Sequence, residues 1–215
     1  MDEQLFMNEL IKRDIHLNDQ QLEQFQLYYD MLIEWNEKMN LTAIVEKEEV
    51  YLKHFFDSIT LSFFFDLKNV QSLCDVGAGA GFPSLPLNNC VPHLNITIVD
   101  SLKKRITFLE SLVAKLNLSN IHLVHSRAED FGQNKSYRES FDLVTARAVA
   151  KLVVLNEYCL PLTKVGGSFI ALKGPQIETE LAEAEKSLKI LGGTLRKHYK
   201  FQLPIEDSER SIIII

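Results

Sequence analysis

Cys74-Asp75-Val76-Gly77-Ala78-Gly79-Ala80-Gly81-Phe82-Pro83 is the stretch on which the reading of this chain turns. It closes a short apolar run and leads into a segment whose first turn accepts a proline, so it reads as a strand, a glycine loop and a helix start. Glycine at every second position lets the backbone turn tightly and approach a ligand, because no side chain intervenes and positive φ is allowed. A nucleotide-like ligand suits such a loop. The dinucleotide fingerprint G-x-G-x-x-G needs its third glycine where this chain has Phe82, which argues against a nicotinamide dinucleotide. No G-K-[ST] follows, which argues against a P-loop.

Outward from this loop, the chain from residue 70 onward alternates short runs rich in valine and isoleucine with segments of helical period, the pattern of a parallel sheet with crossover helices. We expect strands at 72–76, 96–100, 121–125, 141–146 and 168–172, and two more near 195–201 and 210–215. Between the second and third, Ile106, Leu109, Leu112, Val113 and Leu116 form one helical stripe over 102–118, completing a βαβ unit. A further helix is expected over 176–191. Before the sheet, Leu22, Phe25, Tyr29, Leu32, Trp35 and Met39 recur at three- and four-residue steps, with Asn18 or Asp19 placed to cap that helix. A second apolar segment, 51–65, is too rich in phenylalanine to stand alone and must pack on something. The chain therefore divides into a helical cap, 1–68, and an α/β domain, 69–215.

Composition narrows the function classes. With 215 residues and 46% hydrophobic content, one substantial core is expected. The closing Ile212-Ile213-Ile214-Ile215 and every other apolar run fall short of the roughly 20 residues that span a bilayer. The start Met1-Asp2-Glu3-Gln4 lacks the pattern of a secretory signal, so a cytoplasmic location is expected. Cys74, Cys90 and Cys159 are odd in number and widely spaced, which suits buried reduced thiols and no metal. A net charge of −6 argues against holding nucleic acid through a general basic surface. Any such contact must be local, and the clusters Lys103-Lys104-Arg105, Arg147 to Lys151, and Arg196-Lys197-His198 read singly as solvated faces.

The D-x-G-x-G-x-G order of the loop resembles the first motif of the class I (Rossmann-like) methyltransferases, which implies that Asp75, Gly77, Gly79, Gly81 and Phe82 surround S-adenosylmethionine. A sulfonium ligand is cationic and has no pyrophosphate to seat on a helix N-terminus, so carboxylates and carbonyls suit it. Asp100 ends the second strand, with Ser101 beside it, where a carboxylate accepts hydrogen bonds from ribose hydroxyls; capping the next helix is an equal reading, and both roles are compatible. Ala128 and Glu129, past the third strand, occupy the loop that contacts adenine in such enzymes.

Several further stretches sharpen the resemblance. Asn40-Leu41-Thr42-Ala43-Ile44, His54-Phe55-Phe56-Asp57-Ser58, Gly81-Phe82-Pro83, Arg127-Ala128-Glu129, Ala146-Arg147-Ala148-Val149-Ala150 and Leu172-Lys173-Gly174 together resemble the bacterial ribosomal RNA small subunit methyltransferase G family, also called glucose-inhibited division protein B. That family implies a central, mostly parallel seven-stranded sheet with helices on both faces. It also implies methyl transfer from S-adenosylmethionine to N7 of one guanine in 16S ribosomal RNA, presented as RNA or as the small subunit. Members typically continue past the last strand into a basic tail, whereas this sequence ends at Ile215. A monomer is expected. A small-molecule methyltransferase and a nonenzymatic S-adenosylmethionine-binding ribosome assembly factor are the rival readings.

The residues do not identify the base without that resemblance, but the chemistries they lack are consistent with N7. Neither a cysteine nucleophile suited to pyrimidine C5 nor an N/D-P-P-Y/F loop follows the fourth strand, where the chain reads Thr145-Ala146-Arg147-Ala148-Val149. Guanine N7 carries a lone pair and no proton, so positioning can suffice. Arg147 is the first choice for the catalytic site, standing where open α/β sheets bind ligands and able to fork to a carboxylate or a guanine edge. Because N7 must stay free, Arg147 is expected to contact the cofactor, O6 or a phosphate rather than N7, with a surface salt bridge as the plainer reading. Lys173 ends the fifth strand on the same rim and either holds an RNA phosphate or snorkels at the edge. His54 and Asp57 share a helical face and either pair with each other or reach the glycine loop; Tyr28 and Trp35 are assigned to packing.

Overall fold

Helices lead into the sheet, and the first two begin where the sequence supplies a side-chain cap. The computed structural model describes residues 1–206 and 208–215. In α1 (Glu3–Ile11) the Asp2 side chain accepts the Leu5 N–H, and in α2 (Asp19–Met39) Asn18 and Gln21 form a reciprocal capping box. Asn40 ends α2 in the left-handed region, a conformation that asparagine tolerates better than most residues. The apolar segment that follows is one broken helix: α3 (Lys47–Val50), a π-helical turn (Tyr51–Phe56), α4 (Asp57–Ile59) and α5 (Leu61–Phe64). Wide turns of this kind are rare and recur at functional sites.

The sheet contains β1 (Ser72–Val76), β2 (Asn95–Asp100), β3 (Ile121–His125), β4 (Phe141–Arg147), β5 (Thr163–Lys173), β6 (Lys197–Gln202) and β7 (Glu209–Ile214). Their order is β3-β2-β1-β4-β5-β7-β6, with β7 antiparallel to both of its neighbours and the pairs from β3 through β5 parallel. All seven expected strands are present. β5 is longer than expected because its Gly166-Gly167 step stays within the strand, where pairing with β4 shifts register. The crossovers are α6 (Ser84–Cys90), α7 (Lys103–Lys115), α8 (Ala128–Gln133), α9 (Leu152–Cys159) and α10 (Glu178–Leu191). Cys159 closes α9 rather than lying inside it, because Pro161 turns the chain out of the α-helical path.

Two apolar layers cover the sheet. On one face, Leu73, Ile98, Leu143, Ile170 and Ile212 share a core with Phe6, Phe25, Phe55 and Phe56 of the N-terminal helices and with Phe108 and Leu109 of α7. The other face packs Cys74, Val76, Val144, Phe169 and Ile213 against Leu155 and Leu188. Alternate residues of β1 thus enter opposite layers, which is why it reads as a continuous apolar run. Trp35 packs edge-on against Phe108 at 5.7 Å.

Tyr28 packs as well, and does more. Its ring stacks on Phe82 at 5.4 Å and its hydroxyl donates to the Ala80 carbonyl at 2.6 Å, so α2 pins the glycine loop directly. Tyr28→Phe leaves that buried carbonyl without its donor and is expected to cost about 1–3 kcal/mol of stability. Denaturant titration checks this, and unchanged stability would show that the loop holds its shape without α2.

Candidate active site

The carboxyl ends of β1, β2 and β4 surround the glycine loop, and two clefts meet there. One, of about 570 Å³, is lined by Thr42, His54, Asp57, Gly77 to Ala80, Phe82, Arg105, Arg147, Lys173 and Arg210. The other, of about 390 Å³, is lined by Gly77, Asp100, Ser101, Arg105, Ala128, Glu129, Ala148 and Tyr158. Gly77, Arg105 and Ala148 belong to both. The fold therefore gathers the glycine loop, Asp100, Ser101, Ala128, Glu129, Arg147 and Lys173 at one end of the sheet, although they are spread over 99 positions, from Asp75 to Lys173.

The loop owes its shape to three anchors. Gly77, Gly79 and Gly81 all have positive φ, at +73°, +62° and +101°. Gly79 donates its N–H to Asp100 Oδ2 at 3.1 Å, tying the loop to the end of β2. The other Asp100 oxygen accepts the Leu102 N–H at 2.9 Å ahead of α7, while Arg105 approaches Oδ2 at 3.4 Å. Asp100 thus orders the turn before α7 without capping it, because the helix begins only at Lys103, with Leu102 at its N-cap and no side-chain cap, and Asp100 faces the second cleft. Asp75, fully buried, accepts the Ser84 N–H at 3.1 Å, and its other oxygen has no protein partner.

Burial pushes the Asp75 carboxyl up to about 7, against the opposing pull of Ser84 and the Arg147 charge. The folded-state value is raised, so the folded protein holds this proton more tightly than the unfolded chain does. The resulting stabilisation is fully present below the ordinary value of 3.8 and is lost as pH rises through about 7. Asp75→Asn is expected to remove a component on the order of 1–4 kcal/mol from the decline in unfolding free energy between about pH 4 and 8. The same pH dependence in both proteins would contradict this assignment.

Arg147 leaves β4 and crosses to the helical cap. Its Nη1 donates to Asp57 Oδ2 at 2.9 Å and to the Lys53 carbonyl at 3.0 Å, its Nη2 lies 3.3 Å from His54 Nδ1, and the guanidinium sits 5.1 Å over the Phe82 ring. The wide turn at Tyr51–Phe56 brings Lys53 O and His54 to the same guanidinium that Asp57 binds. His54 and Asp57 do not pair with each other; they share Arg147, because the strand end projects between them. Asp57 also receives Arg210 Nε from β7 at 3.4 Å. Phe82 is stacked between Tyr28 and His54, at 5.4 and 4.5 Å, so it fastens the loop to the cap while lining the cleft. Lys173 is largely covered, bonded to Glu180 at 2.7 Å and to the Ala150 carbonyl at 2.7 Å. Tyr28 is assigned by its helical period to packing alone, Thr42 stands in one of the stretches that carry the family resemblance but without a role, and no local signal marks Arg210.

The model of the family described as rRNA small subunit methyltransferase G matches residues 21–211. The chain belongs to this family. Ribosomal RNA small subunit methyltransferase G of Listeria monocytogenes is 56% identical over all of this chain and 90% of its own length. That of Bacillus velezensis is 61% identical over 98% of this chain and 88% of its own length. A crystal structure of an S-adenosylmethionine-dependent O-methyltransferase from Thermotoga maritima has the same class I fold, with a TM-score of 0.57 at 16% identity over 85% of this chain and 70% of that one.

Members of the family are S-adenosylmethionine-dependent methyltransferases, and the residues present fit that cofactor. The start of α6, where a dinucleotide-binding fold seats pyrophosphate, is already taken by the Asp75 carboxylate. A Cβ at Gly79 would meet nothing within 4 Å, so the loop presents bare backbone to open space. Asp100 and Glu129 bring carboxylates to the adjoining cleft. Among the described residues, no helix is long and apolar enough to cross a membrane.

Proposed function

We propose that this chain methylates N7 of a guanine in 16S ribosomal RNA, with residues 1–68 as a helical cap and 69–215 as the methyltransferase domain. The observation that carries this reading is the lining of the larger cleft, where every acid or base side chain is already engaged. Asp57 is paired with Arg147 and Arg210, Glu180 with Lys173, and His54 sits between Arg147 and Thr42. No cysteine is among the lining residues, and burial pushes all three thiols up from their ordinary range. A reaction that must remove a proton or form a covalent enzyme adduct has no free group there; attack by the N7 lone pair needs neither.

S-adenosylmethionine, when bound, supplies an electrophilic methyl group. Gly77, Gly79 and Asp75 would hold its amino-acid end, Asp100 and Ser101 its ribose, and Ala128 and Glu129 its adenine, with Gly81 and Phe82 keeping the loop in place. Arg147 orients the cap against the loop and lines the cleft. Lys173, neutralised by Glu180, sets the rim rather than binding phosphate strongly. The protein acts as a cytoplasmic monomer on the small ribosomal subunit or its RNA. Its full-length identity to relatives named for ribosomal RNA favours this substrate over a small metabolite.

Transfer of labelled methyl from S-adenosylmethionine to small subunits lacking the modification tests the reading. Recovery of 7-methylguanine at one position is expected. Label on another base, or none from protein that binds the cofactor, would overturn it.

A further inference from the structure

Hydrogen bonds beside Arg147 have a fixed direction, and that direction ends at the substrate cleft. A guanidinium can only donate, so His54 Nδ1, 3.3 Å from Arg147 Nη2, must accept. The imidazole proton is then on Nε2, which lies 2.8 Å from Thr42 Oγ1. Thr42 Oγ1 accepts that proton and also the Ile44 N–H at 3.0 Å, which uses both of its lone pairs. Its own hydrogen has no acceptor among the described residues, and Thr42 lines the larger cleft. Desolvation and the Arg147 charge bring His54 down to about 3, in keeping with a neutral imidazole that holds this tautomer across the physiological range.

We propose that Thr42 is a specificity-determining residue whose hydroxyl donates to O6 of the target guanine, selecting guanine over adenine while leaving N7 free. This rests on the guanine-N7 reading above. The Hoogsteen edge of guanine presents N7 and O6, both acceptors, whereas adenine presents the N6 amino donor beside N7. A hydroxyl held as a donor complements the first and opposes the second. Arg147 acts here as a positioning residue: being unable to accept, it sets the His54 tautomer, and His54 in turn sets the Thr42 hydroxyl. The arrangement assigns the base-reading contact to the cap and cofactor contacts to the sheet.

The test compares wild type, Thr42→Val and Thr42→Ser on small subunits reconstituted with 16S RNA carrying guanine, adenine or 2-aminopurine at the target, the last retaining N7 but lacking O6. Thr42→Val is expected to lower kcat/KM on guanine by about 10- to 100-fold, with unchanged affinity for S-adenosylmethionine, and to reduce the guanine-to-adenine ratio by a similar factor. Thr42→Ser restores most of that loss. Wild type should lose a comparable factor on 2-aminopurine, with no further loss when Thr42→Val meets that base, because both changes remove the same hydrogen bond. Additive losses, an unchanged guanine-to-adenine ratio, failure of serine to rescue, or loss of cofactor affinity would each overturn the proposal. Where Thr42→Val fails to fold, equal kcat/KM of wild type on guanine and 2-aminopurine still overturns the proposal. Absence of 7-methylguanine from wild type on guanine-bearing subunits would instead overturn the underlying N7 reading.

Discussion

Arg147→Ala is expected to lower kcat/KM for methyl transfer by about 100-fold, the scale on which misplacement of a reacting group slows a reaction that depends on positioning. The guanidinium joins β4 to Lys53 O, His54 and Asp57, and covers Phe82 of the glycine loop. Its removal releases the cap from the strand end, frees the His54 tautomer and opens a void beside the loop. It also strips Asp57, which is 7% exposed, of its closer cationic partner and leaves Arg210 at 3.4 Å. Breaking a buried pair costs about 3–5 kcal/mol; with a second arginine in place, about 2–4 kcal/mol of stability should be lost. Arg147→Lys should not rescue, since one ammonium cannot reproduce a planar fork shared by three acceptors. Steady-state kinetics with labelled cofactor, alongside denaturant titration, separates the two losses. Wild-type turnover in a destabilised Arg147→Ala would reduce the residue to a tie between cap and sheet.

Gly79 and Gly81, two positions apart in the loop, should fail for different reasons. At Gly81, an added Cβ would lie 2.6 Å from the Tyr28 hydroxyl and 2.7 Å from Leu85 Cδ1, at a φ of +101°. Both neighbours are buried and fixed, Tyr28 by its bond to Ala80, so Gly81→Ala combines overpacking with backbone strain. A loss of about 3 kcal/mol or more is expected, enough to unfold much of a marginal protein. At Gly79 the φ is +62° and a Cβ would meet nothing within 4 Å. Gly79→Ala should therefore fold, with about 1–2 kcal/mol lost to the left-handed conformation. Its methyl group would stand on the surface offered to the ligand, and S-adenosylmethionine affinity should fall about tenfold or more. Thermal unfolding and calorimetric titration distinguish the pair. Equal stability losses, or wild-type affinity in Gly79→Ala, would contradict this division of roles.

Much of this architecture was legible beforehand because it is local. Strand edges at Ser72, Val76, Ile121 and His125 coincide with the short apolar-rich runs that announced them: β1 lies inside the sheet and is almost wholly buried, whereas β3, at the sheet edge, leaves His122 and His125 exposed. The stripe on α7 omitted Phe108, which is buried against Trp35; tertiary packing widened that face beyond the periodic pattern. The boundary of β5 was misjudged because a glycine pair signals a break in isolation but a bulge beside a partner strand.

The α/β class, the strand positions and the glycine loop are legible in the residues alone, and the cofactor through the loop's resemblance to the class I methyltransferases. Each depends on apolar period, on positive φ, or on the residue types offered within a few positions. Folding alone reveals that β7 enters antiparallel between β5 and β6, that Arg147 is shared by His54 and Asp57 some 90 positions away, and that Lys173 is paired with Glu180. Those outcomes depend on which side chains meet once the layers pack, and a hydrogen bond has no direction or partner until both ends are in place.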